Sequence, residues 1–310
     1  MMENIDFRRN IALLDRLFPS QQRIRHFLTV KRLIKNWHVL VKMAAMPDQS
    51  TTIVLMSGKR VKVKNFNGFL DFWHSEAGQM ELLEGLNAAK SIKIDRSRHI
   101  ISFTYKKRRL RFKYAGLDGM LEATLEWIRT QFFEEQYAWL DAKGTTVVDI
   151  GASVGDTAMF FALNGAKEVY GFEIDNSRAR LAAQNAKLNG FGNIHIINAG
   201  CGKQGFITFG NDHRKVKIES LASIVKRYML KDAVLKMDCE GCEYYSILNS
   251  DDKTLRSFAQ IMLEYHHGYR NIEKRLRDAG FRVKHTRPEI FRTENNDGYL
   301  GYLYAERMRP

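Results

Sequence analysis

VVDIGASVGDT, residues 147–157, is the stretch of the sequence that best indicates the fold. An apolar strand leads into a turn with the spacing Gly-x-x-x-Gly, and a helix is predicted to begin at Thr157. Gly151 has no Cβ to obstruct a ligand near the backbone, and Gly155 allows close packing at the start of the helix. The segment therefore predicts a strand, turn and helix that bind a nucleotide-like ligand.

Strands and helices alternate around this segment. The predicted strands are 145–150, 168–172, 193–198, 233–237, 260–265, 281–285 and 298–305. The predicted helices are 121–140, 157–164, 177–189, 218–228, 272–279 and one that begins at 244–248. This alternation predicts an α/β fold with a mostly parallel sheet covered on both faces, in which ligands bind outside the carboxyl ends of the strands.

Two acidic residues accompany the glycine turn. Asp149 ends the first strand, and Glu173 ends the next strand, 24 residues later. We expect Asp149 to accept a hydrogen bond from an ammonium group and Glu173 to bind both hydroxyls of a ribose. A dinucleotide-binding fold is the alternative, but it uses Gly-x-Gly-x-x-Gly, and an acid directly before the turn is unfavourable beside a pyrophosphate. Either acid alone could merely cap a helix, whereas their shared placement favours a methyltransferase that binds S-adenosylmethionine (SAM).

Three segments resemble the FkbM-type class I methyltransferases, and the resemblance covers roughly residues 133–306. They are VVDIGASVGDTAMFFALNGAKEVYGFE at 147–173, VLKMDCEGCEYYSIL at 234–248 and LEYH at 263–266. The resemblance implies a seven-stranded Rossmann-like sheet with an antiparallel last strand and SAM as the methyl donor. It also implies that the acceptor is usually a hydroxyl oxygen, often on a sugar or polyketide.

The resemblance also assigns site residues by position. Asp149, Gly151 and Gly155 match the first SAM motif of the family, Glu173 its ribose-binding acid and Asp238 a later acidic motif. This sequence has Ile174 where the family often has proline, and it lacks an acid at 198–200, so we expect backbone groups and Asn198 to hold adenine. The predicted cofactor-binding residues are Asp149, Gly151, Ala152, Ser153, Gly155, Asp156, Thr157, Glu173, Ile174, Asn198, Ala199 and Asp238.

The predicted catalytic residues are Asp238, Glu264 and His266. Asp238 follows one predicted strand, while Glu264 and His266 end the next one, so the sheet should bring them to one rim. Methyl transfer to oxygen requires an aligned acceptor and a group that takes its proton. His266 is the predicted general base because its ordinary pKa of about 6.5 suits this task. A histidine that only hydrogen-bonds in a loop is the alternative, and Glu264 could equally position the substrate.

The cysteines are predicted to be structural and reduced. Three cysteines do not make a secreted disulfide framework. Cys239 and Cys242 could form half a zinc site or a redox pair, but no second pair of ligands accompanies them. The adjacent residues His266 and His267 would point differently on a strand, so we predict no metal.

Positive charge is concentrated in residues 1–116. This region holds 23 Lys and Arg against 9 Asp and Glu, whereas the remainder holds 26 of each. Its pattern predicts a basic amphipathic helix at 21–46, a turn at 57–59 within 51–63, and short strands within 91–114. We therefore predict a basic α+β region at 1–116, which serves acceptor recognition or packing, and a methyltransferase domain at 117–310.

Three interpretations of the basic region remain open. The run KKRRLRFKY at 106–114 mixes cations with aromatics, as surfaces that bind RNA do. The helix at 21–46 could instead lie on an anionic membrane, or the region could bind an anionic glycan. A solvated face without a ligand is the third interpretation.

The sequence thus predicts a SAM-dependent methyltransferase that acts on a hydroxyl of a small molecule or glycan. The alternative is an RNA methyltransferase, or a SAM-binding protein associated with RNA, that uses the basic region. No apolar run approaches the roughly 20 residues of a transmembrane helix, and the N-terminus lacks the apolar core of a signal peptide, so we expect a cytoplasmic protein.

Overall fold

The computed structural model describes residues 34–45, 49–55, 57–85, 91–114, 120–210, 213–286, 288–293 and 296–308. The predicted domain boundary near Gly116 lies outside these residues. So does the part of the predicted basic helix at 21–33. The end of that helix is confirmed by α1 (His38–Ala45), but the prediction is wrong at 34–37, where Ile34 forms a β-bridge with Leu55 and a turn follows. Among the described residues, no helix is long and apolar enough to cross a membrane.

The N-terminal elements form two small antiparallel sheets and two helices between them. They are β1 (Thr51–Val54), β2 (Arg60–Val63), α2 (Phe66–His74), α3 (Glu76–Gly85), β3 (Lys93–Asp95), β4 (Ile100–Tyr105) and β5 (Arg108–Lys113). The predicted turn at 57–59 joins β1 to β2, and the predicted strands at 91–114 form the sheet β3-β4-β5. Helices α2 and α3 were not predicted, although Asn65 caps α2 by accepting a hydrogen bond from the backbone N–H of Gly68.

The central sheet confirms the predicted fold class. Its strands are β6 (Thr146–Ile150), β7 (Glu168–Glu173), β8 (Ile194–Asn198), β12 (Ala233–Met237), β13 (Phe258–Tyr265), β14 (Phe281–His285) and β16 (Asn296–Arg307). They lie in the order β14-β16-β13-β12-β6-β7-β8. The pairs among β6, β7, β8, β12 and β13 are parallel, and β16, the last strand in the chain, is antiparallel to both of its neighbours.

Helices pack against both faces of this sheet. They are α4 (Met120–Ile128), α5 (Asp156–Leu163), α6 (Asn176–Leu188), α7 (Leu221–Arg227), α8 (Cys242–Leu248), α9 (Asp252–Leu255) and α10 (Arg270–Asp278). A short three-stranded sheet consists of β9 (Gly200–Cys201), β10 (Gly205–Phe209) and β11 (Arg214–Glu219), and β15 (Glu289–Thr293) pairs with β16.

Two predicted helices end or begin elsewhere. The helix predicted at 121–140 ends at Ile128 and is followed by one π-helical turn, in which the buried Arg129 binds Glu134 and Gln79. The helix predicted at 218–228 was wrong at its start because β11 continues to Glu219. Ser220 then caps α7 by accepting a hydrogen bond from the N–H of Ser223.

The sheet β3-β4-β5 shares one hydrophobic core with the central sheet. Phe103 and Phe112 are fully buried in the same cluster as Phe160, Phe161 and the strand residue Val147. Residues on the two sides of the predicted boundary therefore fold against each other.

Two asparagine side chains, one in α6 and one directly after it, form hydrogen bonds with the backbone of the edge strand β5. The amide of Asn189 accepts from the N–H of Arg111 at 2.8 Å and donates to its carbonyl at 2.7 Å. Asn185 pairs with the backbone of Lys113 in the same way, at 2.7 and 3.2 Å. Since alternate residues of a strand present their backbone groups to one side, two amides one helical turn apart match this edge.

Part of the basic run at 106–114 binds the protein itself. Arg108 donates to the carbonyl of Asn189, and Arg111 donates to that of Leu188 at 2.8 Å. These carbonyls end α6, where cations are favourable. Lys107 and Arg109 are exposed, and their side chains form no hydrogen bond or ion pair with the described residues.

Candidate functional site

The glycine turn lies at the carboxyl end of β6, as predicted. Gly151 has a φ of +79°, and a Cβ on it would lie 1.7 Å from the backbone oxygen of Asp238. Its N–H donates to the carbonyl of Phe172 at 2.9 Å, and the N–H of Ala152 donates to the same oxygen. Only glycine fits here, because the turn passes directly against the end of β12.

The start of α5 adds polar groups to this turn. Gly155 has a φ of +86° and packs against Ala182 of α6. Ser153 also has a positive φ, of 44°, and its buried Oγ has no hydrogen-bond partner among the described residues. A strained residue with an unsatisfied hydroxyl is typical of a functional site.

Asp149 is fully buried and already has partners. Its carboxylate accepts a hydrogen bond from Thr157, and one of its oxygens lies 3.0 Å from Nζ of Lys236. The same Nζ donates to the carbonyl of Gly151 at 2.7 Å. Burial raises the pKa of Asp149, and the charge of Lys236 opposes this rise. In this geometry Asp149 contacts the turn through Lys236 and is not open to a ligand.

Asp156 and Lys236 complete this buried group. Burial raises the pKa of the Asp156 carboxyl to about 7, and the positive charge of Lys236 opposes this rise.

Lys236 was not predicted as a site residue. The signal was available, because a lysine interrupts the apolar strand AVLKM, all of which is buried.

Glu173, the predicted ribose-binding residue, accepts hydrogen bonds from two backbone N–H groups. One carboxylate oxygen accepts from the N–H of Ser153 and the other from that of Asp175, each at 2.8 Å. Burial raises its pKa, while these two hydrogen bonds lower it. Asn198 donates to the carbonyls of Glu173 and Ile174, so the predicted adenine-binding residue fixes the chain beside the predicted ribose-binding residue. Ala199 follows Asn198 and is buried.

The three predicted catalytic residues come together at the ends of β12 and β13. Ligand atoms of Asp238, Glu264 and His266 all lie within 4.8 Å of one another. The hydroxyl of Tyr137 donates to Asp238 at 3.1 Å. Burial and the neighbouring Asp238 hold the pKa of Glu264 well above its ordinary value. Tyr137 was not predicted, because nothing in its local sequence relates it to β12.

The loop after β12 differs from the prediction of reduced thiols. Cys239 and Cys242 form a disulfide, so that expectation is wrong for this pair, while Cys201 is a buried free thiol. The buried carboxylate of Glu243 accepts from the N–H groups of Cys239 and Gly241, at 2.7 and 2.8 Å. The loop is thus held both covalently and by hydrogen bonds, directly beside Asp238.

Comparisons with known proteins identify the same region. Residues 149–283 match the methyltransferase FkbM domain family. Uncharacterized protein 158B of Sulfolobus islandicus rod-shaped virus 1 is 31% identical over 134 residues, which are 43% of this chain and 68% of that protein. Ribosomal protein L11 methyltransferase of Streptococcus pneumoniae (strain JJA) is 24% identical over 203 residues, which are 63% of this chain and 60% of that enzyme.

Solved structures give more distant matches. Magnesium protoporphyrin IX methyltransferase from Synechocystis PCC 6803 with bound SAM matches with a TM-score of 0.38 and 18% identity, over 63% of this chain and 86% of that one. The tRNA m1G37 methyltransferase of M. jannaschii matches with a TM-score of 0.39 and 17% identity, over 69% and 58%.

The sheet order, the glycine turn and the strand-end acids define a Rossmann-like methyltransferase. With the match to residues 149–283, the chain belongs to the FkbM methyltransferase family, whose members use SAM as the methyl donor.

Proposed function

We propose that this methyltransferase transfers the methyl group of SAM to a hydroxyl oxygen of a small molecule or glycan. The observation that carries the proposal is the position of Asp238. Its backbone oxygen lies against Gly151 of the cofactor turn, and its carboxylate lies in the cluster with Glu264 and His266. The predicted donor site and the predicted acceptor site therefore meet at one residue.

The cofactor residues have the following proposed roles. Glu173 binds the ribose hydroxyls, and the backbone of Ala152 and Ser153 approaches the cofactor. The segment of Ile174, Asn198 and Ala199 borders adenine, and the start of α5, with Asp156 and Thr157, supports the turn. Asp149 is fully buried, so we assign it to fixing Lys236 and Gly151 instead of contacting the ammonium group.

The chemical step is an in-line displacement. His266 accepts the hydroxyl proton, and the oxygen uses its electron pair to bond to the methyl carbon. The carbon–sulfur bond breaks, its electrons remain on sulfur, and S-adenosylhomocysteine leaves. Asp238 and Glu264 position the acceptor, since alignment supplies much of the catalysis in such a reaction.

RNA stays the alternative acceptor. Because Arg108 and Arg111 already bind α6 and Lys106 donates to Asn164, the exposed side chains of Lys107, Arg109 and Lys113 are the part of the basic run that remains to meet a polyanion. Binding through phosphates weakens steeply with salt, whereas binding of a neutral sugar hydroxyl changes little. Localisation in the cytoplasm also stays a prediction.

Labelled SAM tests the proposal. Cell extract is incubated with the protein and [methyl-³H]SAM and separated into small-molecule, glycan, lipid and RNA fractions. We expect label in the first two fractions and its loss in His266→Ala, with SAM binding retained. His267→Ala, at the neighbouring exposed histidine, is the matched control and should keep activity. Label found only in RNA, and lost in a Lys107→Ser, Arg109→Ser variant, would contradict the proposal and support the alternative.

A further inference from the structure

We propose that Asp238, Glu264 and His266 bind a divalent cation that holds the oxygens of the acceptor. Their ligand atoms lie within 4.8 Å of one another, so a small shift of the side chains would place all three around one ion. The inference rests on the proposed function, because it assigns a cofactor to the same acceptor site. It departs from the sequence-based expectation of no metal, which considered only the cysteines and the histidine pair.

The strand register explains why these residues meet. Met237 of β12 pairs with Leu263 of β13, so the next residues along the two parallel strands, Asp238 and Glu264, come side by side. His266 directly follows the last residue of β13, as Asp238 directly follows the last residue of β12. The ends of two paired strands therefore bring the three residues to one place.

The described part of the chain supplies no cationic partner for the two carboxylates. Among the described residues, neither Asp238 nor Glu264 forms an ion pair with a lysine or arginine, and Nζ of Lys236 is bound to Asp149 and Gly151. Glu240 and Glu243 add further carboxylates near His266, with oxygens 3.3 and 3.8 Å from its ring nitrogens. A partly buried group of acids around one histidine is electrostatically unfavourable unless a proton or a cation is added.

His266 supplies a second, independent observation. The residue is only 8% exposed, and its Nδ1 is buried without a hydrogen-bond partner among the described residues. Buried polar atoms in proteins are nearly always satisfied, and an exception at a cluster of ligating groups indicates a missing partner. The carboxylate of Glu243 lies 3.8 Å from Nδ1, too far for a hydrogen bond, and both of its oxygens accept from backbone N–H groups instead.

The donor set indicates the kind of cation and substrate. Two carboxylates and one imidazole suit Mn²⁺ or a similar divalent ion, since carboxylates favour Mg²⁺ and Mn²⁺ and imidazole favours transition metals. Three protein ligands leave other positions of such an ion open for oxygens of the acceptor. A substrate with two adjacent oxygens, such as a sugar diol, would fill them.

The cation changes one part of the proposed mechanism. A bound ion uses the lone pair of His266, so this residue becomes a ligand and no longer accepts the proton. When bound, such an ion would lower the pKa of a coordinated hydroxyl, whose proton would pass to water. The oxygen then attacks the methyl carbon, and the electrons of the carbon–sulfur bond remain on sulfur as before.

Titration with Mn²⁺, followed by electron paramagnetic resonance of the free ion, tests the inference on the metal-free full-length protein. We expect one site per chain, and at least about tenfold weaker binding in Glu264→Gln and in His266→Ala. His267→Ala should bind Mn²⁺ as the unmodified protein does. SAM binding, measured on every variant, confirms that each one is folded.

Two results would overturn the inference. They are the absence of Mn²⁺ binding by the unmodified protein up to millimolar concentration, and binding that is equal in all variants. Failure of the proposed function would look different. If Mn²⁺ binds as expected but no hydroxyl acceptor is labelled in its presence, the metal site stands and the assignment of the acceptor is wrong.

Discussion

At the scale of single residues, Lys236 connects the parts of the cofactor site. Its ammonium group contacts the carboxylate of Asp149 and the carbonyl of Gly151, and it is almost fully buried. The sequence predicted the glycines and acids of the turn but not this lysine. Local patterns reveal a turn, whereas the partner of a buried charge on a neighbouring strand depends on register.

Replacing Lys236 by methionine should lower the free energy of unfolding by about 3–5 kcal/mol, because Asp149 would be left buried without a countercharge. Urea denaturation measures the change. The double variant with Asp149→Asn should recover much of the loss, since it removes both charges. Equal losses in the single and double variants would contradict this account of the pair.

Asp156 predicts a dependence of stability on pH. Burial raises its pKa from 3.8 to about 7 in the folded protein. The folded state therefore binds more protons than the unfolded state between these values, and its stability falls as the pH rises through this window. The Asp156→Asn variant has no carboxyl group to titrate here, so its stability does not fall in this way. As the pH rises through the window, its free energy of unfolding relative to that of the unmodified protein should increase by up to about 1.4 kcal/mol per pH unit. Urea denaturation at pH 5 and pH 8 checks this, and a difference that is the same at both pH values would contradict it.

At the scale of elements, strands were predicted well wherever an apolar run and a turn marked them. The parallel strands β6, β7, β8, β12 and β13 all lie within about two residues of their predicted positions. The hairpin of β10 and β11 was missed because GFITF of β10 is largely exposed and does not alternate, although RKVKIE of β11 does alternate polar and apolar residues. The helix after residue 120 was overextended, since the buried Arg129 that follows its end donates a hydrogen bond to Gln79, 50 residues away in the sequence.

The junction of α6 with β5 predicts a cost for losing one amide. Asn185 bonds to the backbone of Lys113 and of Val154. Asn185→Ala should therefore reduce the free energy of unfolding by about 2–4 kcal/mol, since each lost bond is worth about 1 kcal/mol and buried backbone groups lose their partner. Gln184→Ala, at the exposed neighbouring position of α6, is the matched control for urea denaturation and should change little. Similar changes in the two variants would contradict the role of Asn185.

At the scale of the whole molecule, the charge distribution predicted a domain boundary near Gly116, but the hydrophobic core extends across it. Residues 1–116 carry the net positive charge of the chain, yet β4 and β5 share a core with the methyltransferase sheet. Charge distribution reports on partners and not on folding units. The core crosses the boundary because the apolar faces of IISFTY and LRFKY need a partner, and the sequence alone does not reveal which surface supplies it.

Phe103→Ala tests whether this core is one cooperative unit. Its ring contacts Phe112, Phe132 and Phe133, so we expect a loss of about 3–5 kcal/mol in the free energy of unfolding. Fluorescence and SAM binding should report the same transition midpoint in urea. Two separate transitions, with SAM binding unaffected by the first, would show that the N-terminal sheet unfolds independently.

Calorimetric titration of the full-length protein with SAM tests the central claim most directly, that the carboxyl ends of β6, β7 and β12 form the cofactor site. We predict one SAM per chain. Glu173→Ala should weaken binding roughly 10- to 150-fold, as expected for the loss of a charged hydrogen bond worth about 1.5–3 kcal/mol. Glu168→Ala, at the other end of β7, should leave the affinity unchanged. No binding of SAM by the folded, unmodified protein, or equal affinity in the Glu173 variant, would contradict the account.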